Sequence, residues 1–172
     1  DISDDNGATW TEATPVGHFS EDISLHAIYA REDSIYLGGG RGKVFVSGDT
    51  GATWTKRESS DIFSLHHDIF KNNSSLFLST SDGIYYSADD GQTWATRNTA
   101  LVNSIIEYIT PSGDGIIAGG FSGFYESADD GESWTKEKPI NEVIPYVKGV
   151  HAHENIRVMA TSIPDWLVDL GV

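Results

Sequence analysis

The chain contains no cysteine, which excludes disulfides, thiolate metal sites and a cysteine nucleophile while leaving the cellular compartment open. Basic side chains are scarce: 11 Lys and Arg stand against 26 Asp and Glu, a formal net charge of −15. A field of that sign repels phosphate backbones and anionic lipid, so nucleic acid and acidic membranes are not expected partners. The excess acid reads first as solvating surface charge, with a cationic partner as the sharper alternative. Long apolar runs are missing too. None approaches the ~20 residues of a membrane span, so a soluble protein without membrane insertion is expected. The opening residues Asp1-Ile2-Ser3-Asp4-Asp5 have no basic or apolar stretch, so any export signal is expected to have been removed.

What is abundant suits short strands and tight turns: 18 glycines, 7 Tyr, 7 Phe and 5 Trp among many Ser and Thr. A length of 172 residues allows one domain with a sizeable core, or part of a larger repeat array.

The strongest signal is internal repetition. The pattern Ser-x-Asp-x-Gly-x-(Thr/Ser)-Trp runs from Ser3 to Trp10, Ser47 to Trp54, Ser87 to Trp94 and Ser127 to Trp134. Its aspartates Asp5, Asp49, Asp89 and Asp129 lie 44, 40 and 40 residues apart. Ser and Asp oxygens can bond nearby backbone N–H groups and fix a turn. Gly7, Gly51, Gly91 and Gly131 supply positive φ. Trp10, Trp54, Trp94 and Trp134 each offer a large ring to bury. The box is therefore read as a hairpin clamp. It lacks the alternating oxygen ligands and distal Glu of a calcium loop, so no metal is expected there.

Between boxes the units align. Three apolar-alternating stretches precede each of the last three boxes: Ser24–Tyr29, Ser34–Gly38 and Gly42–Val46 in the first unit, with counterparts in the next two. A Trp-Thr or Trp-Ala step opens a fourth strand after it. Four strands, A to D, in about 40 residues make one propeller blade. The fourth unit supplies Tyr146–His151 and Ile156–Ala160, followed by an insertion, residues 163–170.

These boxes resemble the Asp-box family, also called bacterial neuraminidase repeats, and the resemblance covers nearly the whole chain. It implies an all-β fold, a β-propeller of four Asp-box repeats with four-stranded blades. The family's functions range over sialidases, xyloglucan hydrolases, sortilin-type receptors and photosystem assembly factors, so the motif specifies fold far better than function. Gly171-Val172-Asp1-Ile2-Ser3 copies the register of Gly83–Ser87 and Gly123–Ser127. One domain over residues 1–172 is expected, its last blade shared between 146–172 and 1–14, with the ring closed by pairing of the two ends. The alternative is four units of a six- to eight-bladed ring, or a ring completed by self-association.

Family geometry points to the face bearing D–A loops and B–C turns as the ligand face, with the boxes opposite. Candidate ligand-binding positions are then His26, His66, His67 and Lys148 at the start of strand A, and Arg41, Asp82, Phe121 and Trp166 in or after the B–C turns. Counting from the boxes makes His26, His66, Ile106 and Lys148 equivalent. His26 and His66 fit either a metal pair or hydrogen-bonded filling of a narrow channel, and the second is the expectation. Trp166 fits either a platform for a sugar or peptide or a pin for the insertion. Glu107 and Asp68 fit buried carboxylates paired with His or Lys148.

No catalytic residue is assigned. A sialidase, by resemblance, needs an arginine triad. The arginines here are Arg31, Arg41, Arg57, Arg97 and Arg157, of which Arg57 and Arg97 follow boxes on outer strands. The Phe/Tyr-Arg-Ile-Pro motif is absent, as are Gly-x-Ser-x-Gly and phosphate loops. The expectation is a non-enzymatic recognition or scaffolding propeller that binds a protein or glycan, without cofactor, extracytoplasmic by family habit. The alternatives are a sialidase-like glycoside hydrolase or a fragment of one, and a subunit of an extracellular assembly.

Overall fold

The computed structural model describes residues 1–3, 5–12, 24–32, 34–40, 42–101, 105–137, 146–153 and 156–162. Its strands form four antiparallel sheets in chain order. The first is β1 (Leu25–Arg31), β2 (Ser34–Gly39), β3 (Lys43–Ser47) and β4 (Thr55–Glu58). The second is β5 (His66–Asn72), β6 (Ser75–Thr80), β7 (Gly83–Ser87) and β8 (Ala95–Thr96). The third is β9 (Ile106–Ser112), β10 (Gly115–Gly120), β11 (Gly123–Ser127) and β12 (Thr135–Lys136). The last pairs β13 (Tyr146–His153) with β14 (Ile156–Ser162). Each four-stranded sheet is a simple meander, as a propeller blade requires. β1 packs on β5, β5 on β9 and β9 on β13, so the A strands stand side by side on the inner edge.

The second strands of the second and third sheets are apolar on both faces because sheets stack on both sides of them. Leu76, Phe77 and Leu78 are fully buried, as are Ile116, Ile117 and Ala118. The core accordingly lies between blades. One cluster joins Ala27, Tyr36, Val44, Ile62, Ile69, Leu76, Leu78 and Tyr85; the next joins Phe70, Phe77, Ile84, Ile106, Ile109, Ile116, Tyr125 and Trp134. Phe70 stacks on Phe77 at 5.0 Å, and Tyr86 meets Phe77 edge-on at 5.3 Å. Each fully buried Phe, Leu or Ile contributes about 1.5–3 kcal/mol, so these seams carry the stability.

All four boxes fold alike. In the second, Ser47 Oγ donates to Asp49 Oδ1 and accepts from the Gly51 amide, both at 2.8 Å. Asp49 Oδ1 accepts the Thr53 amide at 2.8 Å, while Thr53 Oγ1 donates to Oδ2 at 2.5 Å. Thr50 and Gly51 are both left-handed, at φ 56 and 89, as are Asn6 with Gly7, Asp90 with Gly91 and Asp130 with Gly131. Two consecutive positive-φ residues build a mirror-image turn that follows the strand twist. The bonds from Thr or Ser at the seventh box position, followed by its backbone and by the first Ser, hold Asp5, Asp89 and Asp129 down to about 2. Asp49 is lowered by the same bonds, and the contribution of the box carboxylates to folding is present above their ordinary range and is lost as pH falls through it toward the folded values.

The tryptophans differ. Trp134 is 4% exposed and donates Nε1–H to Arg97 O of the preceding blade at 2.9 Å. Trp54 and Trp94 are half-buried and bond back to Gly51 O and Gly91 O. Trp10 is 64% exposed. The expectation that every box Trp is buried fails at Trp10, because no described strand flanks its hairpin.

That hairpin nevertheless carries blade register. Ile2 bridges Thr11, as Val46 pairs with Thr55, Tyr86 with Ala95 and Glu126 with Thr135. The fold is all-β with three four-stranded sheets consistent with propeller blades. The expected meeting of Gly171-Val172 with Asp1-Ile2, and the 163–170 insertion, lie outside the described residues.

Candidate functional site

Two backbone bonds tie the start of strand A to the B–C turn: the Ser81 amide donates to Leu65 O and the Phe121 amide to Ile105 O, both at 3.2 Å. These elements therefore share one face. The boxes share the other with the A–B turns, where Lys71 Nζ contacts Asp90 Oδ1 at 2.7 Å and Asn72 Nδ2 donates to Asp130 Oδ1 at 3.1 Å.

On the loop face every A strand is bulged at the same place. The register slips between Leu25 and Ala27, His66 and Asp68, Ile106 and Tyr108, and Val147 and Gly149. The bulged residues are His26, His67, Glu107 and Lys148. A bulge leaves one residue out of the ladder and turns its side chain, a device common beside binding sites. Here it collects four ionisable side chains of different character at one repeat position.

This corrects the equivalence counted from the boxes, which grouped His26 with His66, Ile106 and Lys148. In the first unit Gly38 pairs with Val44, where Ser79 pairs with Ile84 and Gly119 with Phe124. Its B–C turn is one residue longer, and counting back across it displaces strand A by one. His66 falls instead with Leu25, Ile106 and Val147. His66, Ile106 and Val147 are all fully buried.

His66 is not a channel lining group. It fills an inter-blade slot, where a Cβ on Gly38 would stand 3.3 Å from Nδ1. Among the described residues neither ring nitrogen has a hydrogen-bond partner, so the expected hydrogen-bonded filling is not found there. Burial first, then His26 and His67 nearby, push His66 down to about 4, and it is neutral near pH 7. His67 is half-buried, meets Ser81 Oγ through Nε2 at 3.0 Å, and is also lowered by burial, with Glu107 opposing. Among the described residues no three His, Asp or Glu are placed to hold a metal.

Asp68 lies just past the bulge. Its Oδ1 accepts the Ile69 amide at 2.9 Å and Oδ2 the Ile109 amide of the next blade at 3.2 Å. Burial raises it to about 6 despite these bonds. The expected pairing of this carboxylate with His or Lys is replaced by backbone amides. Glu107 accepts instead from Tyr146 O–H, and that bond, with burial, pushes the phenol up to about 12. Lys148 Nζ sits 3.9 Å from the Tyr146 ring centroid, and the Phe121 ring lies 5.6 Å away at 57°.

Exposed apolar side chains crowd the same face. Phe63 is 80% exposed, Phe121 67%, Leu65 53%, and Leu25 and Ile105 40% each. Phe63 borders a shallow cleft with Glu58, Ser59, Ser60 and Ile62. Sequence reasoning missed Phe63, Leu65, Ile105 and Tyr146; Leu65, Ile105 and Tyr146 share the position two residues before the bulge, which the count along the sequence did not align for all three. Asp82 is exposed in a B–C turn, its amide bonded to Thr80 Oγ1 at 3.0 Å. Arg41 and Trp166 lie outside the described residues.

The described arginines stay away from this face. Arg31 pairs with Glu32 in an A–B turn at 3.9 Å. Arg97 lies over the Tyr86 ring and pairs with Glu132 of the next blade's box at 2.9 Å. The aliphatic stem of Arg57 lies along Gly91 of the following box.

Comparison with known proteins agrees with this architecture. A solved Ycf48 bound to D1 peptide matches with TM-score 0.63 at 18% identity, over 84% of this chain and 49% of that one. The computationally designed protein Ika4 matches with TM-score 0.66 at 12% identity, over 90% of this chain and 94% of that one. The GH74 xyloglucanase of Xanthomonas campestris matches with TM-score 0.54 at 18% identity, over 69% of this chain and 23% of that one. The chain thus spans about half the length of the Ycf48 chain and a quarter of the xyloglucanase. At these identities the likeness is one of fold. No curated protein matches. The DUF6242 β-propeller domain matches residues 1–104, more than half of the sequence, and the chain belongs to that family.

Proposed function

We infer that this chain is a non-enzymatic recognition or scaffolding propeller that takes a protein or glycan on its loop face. The carrying observation is the set of exposed apolar side chains there, Phe63, Leu65, Ile105 and Phe121, around the bulged ring of His26, His67, Glu107 and Lys148. Exposed apolar groups clustered on one face of a rigid scaffold are the usual signature of a docking surface. The Ycf48 match carries a peptide, which supports the reading by analogy of fold alone.

A glycosidase is disfavoured on chemical grounds. Both oxygens of Asp68, the carboxylate with the raised affinity for a proton, are engaged by amides, and Glu107 is engaged by Tyr146. A retaining or inverting pair needs two carboxylates open to one sugar. The described arginines do not gather as a carboxylate clamp.

The remaining parts of the reading are an Asp-box propeller, an extracytoplasmic location, and a ring closed within one chain by the first box hairpin adding to β14. Peptide and glycan arrays on the wild type and on Leu65→Ser and Phe121→Ser test the face. Binding that falls in both variants supports it. Binding unchanged in both, or steady hydrolysis of a β-glucan or sialoside, overturns it.

A further inference from the structure

We propose that the corner formed by Tyr146, Phe121 and Glu107 is a recognition site for an ammonium group of a partner polypeptide, with Lys148 holding the place in the free protein. The proposal rests on the loop-face reading and names the chemistry of one part of it.

The corner has the parts an ammonium site needs. Tyr146 and Phe121 bring two aromatic rings together at 5.6 Å and 57°. An ammonium is attracted to such a ring within about 6 Å of its centroid, and Lys148 Nζ is at 3.9 Å. The Tyr146 hydroxyl donates to the Glu107 carboxylate, which pins the ring and sets an anion at its rim. Donation to a carboxylate also pushes electron density into the ring and strengthens its negative face.

The occupant is loosely held. Lys148 is an exposed bulged residue on a flexible stem, so it can leave its ring for water at little cost. Phe121 is two-thirds exposed and offers an incoming side chain a second wall. A net charge of −15 draws cations from a distance. Neighbouring Ile105, whose carbonyl accepts the Phe121 amide, would cover the apolar stem of an inserted lysine. Sugar hydroxyls gain little from this charge pattern, so a polypeptide lysine is the better fit.

The probes are an N-terminally acetylated tetralysine amide and its fully ε-acetylated counterpart, titrated by calorimetry at low salt. The expected result is weak binding of tetralysine to the wild type and none of the acetylated peptide. Lys148→Gln frees the corner and should tighten binding about three- to tenfold, the range of one cation–aromatic contact. Tyr146→Leu added to that variant should abolish the gain. Lys56→Gln removes the same charge where it pairs with Glu58 at 3.0 Å, and should change affinity less than about twofold.

Equal tightening by Lys56→Gln would reduce the effect to net charge and overturn the proposal. So would weaker binding by Lys148→Gln, or equal binding of the acetylated peptide. Should neutral peptides or glycans bind in a Phe121-dependent way while tetralysine does not, the ammonium site falls and the loop-face reading stands.

Discussion

Asp68 on the inner strand of one blade accepts the backbone N–H of Ile109 on the inner strand of the next, at 3.2 Å. The bond crosses a seam that is otherwise apolar, and burial raises the carboxyl to about 6. A folded value above the unfolded one means the ionised form is the costly one. The seam is therefore tightest below about pH 4, loosens as pH rises through 6, and is constant above that. Asp68→Asn removes the charge but leaves one acceptor where two amides donate, so it recovers the burial cost and strands one amide. Its unfolding free energy relative to wild type, from urea denaturation, should therefore rise by about 1–2 kcal/mol between pH 4 and pH 7. Asp68→Ala strands the Ile109 amide and should cost about 1–3 kcal/mol throughout. A difference between Asp68→Asn and wild type that stays the same from pH 4 to pH 7 would count against this account.

His66 has the opposite pH dependence. Its folded value near 4 lies below the ordinary 6.5, so its neutral form is the one the fold accepts. That contribution is complete above about pH 6.5 and is lost as pH falls toward 4. Two buried nitrogens without partners are a standing cost of about 1–3 kcal/mol. The structural counterparts of His66 include Ile106 and Val147. His66→Ile should therefore raise thermal stability at pH 7 and flatten the loss between pH 6.5 and 4. A destabilised variant would show that His66 serves a partner not visible in the packing.

The four boxes were legible to the residue, because side-chain–backbone turns are encoded within eight positions. The strands were legible as well, from alternation and from Gly-bounded spacing. The bulges were not. A bulge is a one-residue slip fixed by pairing with a neighbour, and the longer turn of the first unit hid it from any count. The burial of His66 followed from that slip, and its pairing with Gly38 across a seam has no local signal. Trp10 shows the same limit: its box matches the others in sequence, yet exposure depends on which sheet lies beside it.

The box tryptophans should separate by location. Trp134→Ala opens a cavity in a packed seam and removes the bond to Arg97 O, so it should cost about 3–5 kcal/mol. Trp10→Ala, in the exposed setting described, should cost under about 0.5 kcal/mol. Urea denaturation of the two variants checks the contrast. A large cost at Trp10 would reveal that its hairpin is docked on a sheet in solution, which is what ring closure requires.

Ring closure itself has a register, and the register makes it testable. Among the described residues the hairpin of Ile2 and Thr11 has the pairing of strands C and D but joins no sheet, while β13 and β14 pair as strands A and B. Blade 1 is uncovered on the matching side: Ile28 is 68% exposed, where its counterparts Ile69 and Ile109 are buried. Tyr36 pairs with Val46, Phe77 with Tyr86 and Ile117 with Glu126. The corresponding pair in a completed fourth blade is Val158 with Ile2. Because the chain has no cysteine, Ile2→Cys with Val158→Cys gives one unambiguous pair. Directly opposed strand residues lie within disulfide reach. Closure within one chain predicts a monomeric disulfide under mild oxidation, read by mass spectrometry, with a raised melting temperature. Disulfide-linked dimers would mean that a second copy supplies the strand. Two free thiols under the same oxidation would show that the hairpin does not join β14 at all.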